Sequence, residues 1–156
     1  MKGDGFMHIW FDTVITQQEF FKELYDFLLH LGYQPKQSPT KDLIFVFQKK
    51  GKKIAKFSYS LRYGPSLHMK FYANRTYPSY FHEKVRETME SSSFKYTGMI
   101  KGAIEGLGYR YQFPDGRKYF LFHREMIDVG LPPSSLLKDI KDLLQVQDAH
   151  WTLGGQ

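Results

Sequence analysis

The sequence predicts an α+β fold: an antiparallel sheet, built from a first strand, a three-stranded meander and an aromatic β-hairpin, packed with about three helices. Three stretches predict it. Residues 108–122 alternate like a hairpin, residues 20–31 carry one apolar stripe at helical spacing, and residues 43–72 read as strands punctuated by turns.

The hairpin organises the rest. Pro114 fixes the φ that the first corner of a type I turn needs, and Asp115 and Gly116 complete a three-residue loop. With Phe113 and Arg117 as closing pair, Tyr111 opposes Tyr119 and Tyr109 opposes Leu121. Tyr109, Tyr111, Phe113, Tyr119 and Leu121 then share a face, and a hairpin this aromatic must be covered by other elements.

In chain order, residues 6–11 read as the first strand. Thr16-Gln17-Gln18-Glu19 matches a capping box. The helix behind it presents Phe20, Leu24, Phe27, Leu28 and Leu31 on one face, and Gly32 and Pro35 stop it. Residues 35–42 read as a loop. Residues 43–47, 53–60 and 67–72 form the meander, with turns at 49–52 and 63–66. In its last strand Leu67, Met69 and Phe71 point one way, and His68, Lys70 and Tyr72 the other, together with Lys56 and Ser58 of the middle strand. Pro78 opens a second helix over 79–90, with Phe81, Val85 and Met89 buried. A third follows Pro133 or Ser134 and carries Leu136, Leu137, Ile140, Leu143 and Leu144. The 156 residues form one domain, with loosely held tails at 1–5 and 152–156.

Composition narrows the classes. Hydrophobic residues make up 42% and aromatics 17% of the chain, enough for a real core. The chain has no cysteine, which excludes disulfides and thiolate metal sites. No run approaches the roughly 18–20 apolar residues of a membrane span, and residues 1–5 lack a secretion-signal pattern, so a cytoplasmic location away from membranes is expected. The net charge of +6 is uneven: from Lys36 to Arg75 ten basic residues stand against Asp42 alone, giving +9, and the remainder carries −3. Such localised charge attracts anions, although lysines on strands also keep sheet edges from pairing with other molecules.

Short motifs resemble a family of small uncharacterised bacterial proteins: Leu67-x-Met69-Lys70-Phe71-Tyr72-Ala73 with the helix start at 77–85, Tyr96-Thr97-Gly98, and Gly108-Tyr109-x-Tyr111-x-Phe113-Pro114-Asp115-Gly116-Arg117 with Glu125-x-Ile127. The resemblance covers most of residues 20–151. It implies a zinc ribbon, with cysteines after Tyr-Thr-Gly and just after the hairpin. Here Met99 and Phe122 occupy the first and last of those positions. The resemblance therefore implies that apolar packing of Met99 on Phe122 replaces the metal, and it carries no activity.

No catalytic residue, cofactor or metal ligand is assigned. The six histidines include no i, i+3 or i, i+4 pair. His123 with Glu125, or His8 with Asp12, would hold half a metal site, and Glu125 is the best general acid–base candidate. No nucleophile elbow exists, and the glycines at 102, 106 and 108 match no phosphate loop. The remaining candidate is an anion- or nucleic-acid-binding surface of Lys49, Lys50, Lys52, Lys53, Lys56, Arg62, His68, Lys70, Tyr72 and Arg75, in which lysines neutralise phosphates and Tyr72 stacks on bases. A protein-interaction or homo-oligomerising domain using the hairpin aromatics is the second reading, and an enzyme or small-molecule binder lined by aromatics, His123 and Glu125 the third.

Overall fold

A computed structural model of the protein describes residues 2–74, 76–90, 108–112, 118–122 and 126–154. Among these residues four α-helices accompany an antiparallel five-stranded sheet and a separate two-stranded hairpin. The helices are α1 (Lys2–Thr13), α2 (Gln18–His30), α3 (Ser79–Glu90) and α4 (Leu137–Gly154). The sheet runs β1 (Gln34–Gln37), β2 (Leu43–Lys49), β3 (Lys52–Ser60), β4 (Gly64–Met69) and β7 (Ile127–Gly130), in that spatial order. The hairpin strands are β5 (Gly108–Gln112) and β6 (Lys118–Phe122).

The α+β class stands, with three corrections to its elements. The stretch expected as a first strand lies in α1. Trp10 and Val14, four residues apart, are buried while Ile9, just before Trp10, is 39% exposed, a helical spacing. Residues 6–11 are apolar on both alternating sets, so period 2 never had a polar face to define it. The loop expected at 35–42 instead supplies β1, whose Pro35 sits opposite Phe47 on the sheet edge. The hairpin does not join the main sheet; β7 takes that place beside β4. Residues 2–5 and 152–154 are helical.

The amphipathic stripe of α2 is broader than five positions, because Phe21 and Tyr25 are buried beside Phe20, Leu24 and Leu28. Its start differs from a capping box. Gln17 takes a left-handed conformation with no side-chain cap, and the Gln18 amide turns back to donate to the Phe11 and Val14 carbonyls that end α1. Its end follows the expected glycine rule. Gly32, at φ 101°, donates to Leu29, and Tyr33 donates to Leu28, which together satisfy the last free carbonyls.

Pairing across the sheet puts Phe45, Phe57 and Leu67 in one row, with Phe47, Ala55 and Met69 in the next. That face receives the helices. Trp10 of α1 lies 5.1 Å from Phe21 and 5.5 Å from Phe57, and the Phe47 ring packs tilted at 4.7 Å from Phe57. A bulge after Phe47 also drives Ile54 into the core.

The hairpin register is as read from sequence: Tyr109 opposite Leu121 and Tyr111 opposite Tyr119. Tyr109 is buried, and its hydroxyl accepts the Phe71 N–H at 2.6 Å. The turn at 113–117, the Met99–Phe122 contact, and His123 and Glu125 lie outside the described residues or side chains.

Candidate anion-binding surface

The opposite face of the sheet carries Lys36, Lys53 and Lys56. One rung crosses all five strands: Lys36, Val46, Lys56, His68 and Asp128 are successive cross-strand neighbours and share a side. Strand spacing places Lys36 and Lys56 about 10 Å apart. Beside this rung lies a second of Ile44, Ser58 and Ser66, and Ser60 follows on the same side of β3. On the other side of the rung, Gln34, Gln48 and Lys53 continue the face to the β2–β3 turn. That turn is Lys50-Gly51, both at positive φ (50° and 81°), a type I′ geometry that leaves the Lys50 side chain exposed. The face thus reads, along β3, Lys53, Lys56, Ser58 and Ser60.

His68 contributes no positive charge at neutral pH. Burial, then the neighbouring Lys56 ammonium, lower its pKa to about 4, against a weaker opposing pull from Asp128. Its Nε2 is 3.7 Å from the Asp128 carboxylate, and its buried Nδ1 has no hydrogen-bond partner.

Not all ten sequence-predicted residues meet. Lys50, Lys53, Lys56 and His68 belong to this face and its turn, and Arg62 is exposed at its far end, in the β3–β4 turn. Lys49 points to the helical side. It donates to Asp148 at 2.7 Å and to the Leu31 carbonyl at 2.8 Å, and its ammonium lies 4.7 Å from the centre of the Tyr33 ring. Tyr33 donates to the same Asp148 oxygen at 2.8 Å. Burial and that carboxylate hold the phenol well above its usual pKa, so it stays a donor. Lys49 is therefore a tie between β2, α2 and α4.

Lys70 and Tyr72 depart from the expected shared face. β4 ends at Met69, and the Lys70 N–H bonds to Ile54 opposite the bulge, so alternation ceases to govern the side chains beyond it. Tyr72 is 4% exposed and its hydroxyl accepts the Trp151 indole N–H at 2.9 Å. Lys70 and the half-buried Lys52 both bring their ammonium groups 5.8 Å from the Trp151 ring centre. Tyr72 thus has no open ring for stacking. Arg75 lies outside the described residues.

Sequence reasoning missed Lys36 as part of the rung, because residues 35–42 read as a loop, and missed Trp151 and Asp148 as the partners that remove Tyr72 and Lys49 from the surface. It also read Tyr63 only as turn material, whereas the turn exposes it. Among the described residues no group of three or more histidines and acids lies close enough to hold a metal, and no helix is long and apolar enough to cross a membrane. No protein-family model, curated protein or solved structure matches the chain.

Proposed function

We propose that this protein is a non-enzymatic binding module whose sheet face opposite α1 and α2 engages an anionic partner, nucleic acid before protein, in the cytoplasm. The observation that carries the reading is the alignment of Lys53 and Lys56 with Ser58 and Ser60 along one side of β3, flanked by Lys36 two strands away. Ammonium groups neutralise phosphates and release their counterions, and hydroxyls add hydrogen bonds that position the backbone. The neutral state of His68 leaves the imidazole as a hydrogen-bonding group within the rung.

Fluorescence anisotropy with a labelled oligonucleotide at about 50 mM salt tests this, since a footprint of several phosphates binds tightest there. The double substitution Lys53→Gln, Lys56→Gln is expected to weaken binding and to flatten the salt slope by about one unit per lost contact. Absence of binding at micromolar protein, with only solubility changed by the substitutions, would leave the lysines as a solvated face and end the reading.

A further inference from the structure

The β3–β4 turn is Leu61-Arg62-Tyr63, and its two large apolar side chains stand in solvent: Leu61 is 95% and Tyr63 78% exposed. Turn chemistry does not ask for these residues; Gly, Asn, Asp, Ser and Pro are the types that relieve backbone strain in short loops. Nothing in the turn's own geometry requires Tyr63 beyond its backbone, whose N–H donates to Ser60 Oγ at 3.0 Å and fixes the loop. The ring is instead paired with Arg62, whose guanidinium carbon lies 5.2 Å from its centre. An aromatic ring with a planar cation beside it, on a braced and protruding tip, is a stacking platform.

The tip continues the charged face. Ser60 at its base is in line with Ser58 and Lys56 on the same side of β3. From Ser60 to Lys56 the strand rises about 13 Å. A nucleic-acid backbone lying along Lys53, Lys56 and the serines would bring its next bases to Tyr63. A duplex keeps its bases stacked on one another and offers a ring only at its ends, whereas single strands present free base faces.

We infer that the Leu61-Arg62-Tyr63 tip is a base-stacking site for single-stranded nucleic acid, with Tyr63 as the platform and Arg62 contributing both charge and a second planar surface. The tip's role rests on the sheet face binding nucleic acid, as proposed above. It adds what that face lacks: the row of Lys36, Val46, Lys56 and His68 holds no Phe, Tyr or Trp, and Tyr72 is enclosed by α4.

Anisotropy titrations of wild type, Tyr63→Ala and Tyr63→Phe against a twelve-nucleotide single strand (about the range of known single-strand sites) and its duplex test the assignment. Circular dichroism and melting temperature should be unchanged, because the ring packs on no core residue. Tyr63→Ala is expected to weaken single-strand binding about tenfold, the effect of one lost base–aromatic stack, and duplex binding little. Its salt slope should match wild type, and Tyr63→Phe should restore affinity. Wild-type affinity in Tyr63→Ala overturns the tip's role while leaving the phosphate-binding face intact. Absence of binding to either oligonucleotide overturns both. Equal losses on single strand and duplex also overturn it, as does a tip that serves only phosphatidylserine–phosphatidylcholine vesicles or self-association in sedimentation.

Discussion

His68 shows at the scale of one residue how a sheet neighbour can be read in the sequence but not weighed. Its position opposite Lys56 follows from strand register, yet its neutrality depends on how deeply it is buried, which register does not supply. The sign of its contribution to stability is determined. A histidine whose folded pKa is lowered to about 4 from 6.5 contributes stability that is present above 6.5 and lost as pH falls toward 4. That loss amounts to about 3 kcal/mol, each pKa unit being worth about 1.4 kcal/mol. Thermal melts of wild type and His68→Gln between pH 7.5 and 4.5 check it. The wild-type melting temperature should fall across that window, and the variant should fall less. Parallel curves would assign the acid lability to other groups.

Elements were legible where period and punctuation agreed. α2, α3, the meander and the hairpin register all have a clear stripe or alternation bounded by Gly or Pro, and each forms, although the third meander strand, expected at 67–72, runs Gly64–Met69. α1, β1 and β7 were not legible, for one shared reason. Each is short or two-sided, and tertiary pairing decides it: Trp10 on Phe57, Pro35 opposite Phe47, Ile127 opposite Met69. The hairpin attaches to the rest through Tyr109, whose ring lies 5.1 Å from Phe71 and 5.9 Å from Tyr72. Tyr109→Phe keeps that packing but strips the acceptor from the buried Phe71 N–H. It should cost about 1–3 kcal/mol, the penalty of an orphaned buried donor. Urea unfolding would show it as a lower midpoint at unchanged slope. An unchanged midpoint would mean that the Phe71 N–H finds another acceptor.

The charge distribution was legible across the whole molecule, but its partition between surface and framework was not. The +9 segment supplies Lys53 and Lys56 to the open side of the sheet, while Lys49, Lys52 and Lys70 converge on the last turns of α4. The cause lies far downstream, 99 residues on in the case of Lys49: Asp148 and Trp151 come from the stretch after Leu144, which the sequence showed only as the end of a helix. α4 thereby joins two distant points of the chain, the α2–β1 connection through Tyr33 and the segment after β4 through Tyr72, with Gln147 also accepting the Ala73 N–H at 2.9 Å. Trp151→Ala should therefore act as a core substitution, costing about 3–5 kcal/mol despite its place near the chain end. A double-mutant cycle isolates the link. Tyr72→Phe and Trp151→Phe should couple by about 0.5–3 kcal/mol, because either change alone breaks the same hydrogen bond. His68→Gln paired with Trp151→Phe should add without coupling, since the two share no contact. Additivity in the Tyr72 cycle would mean that the Tyr72–Trp151 bond adds nothing to the docking of α4, which then rests on apolar burial and on the Asp148 and Gln147 bonds.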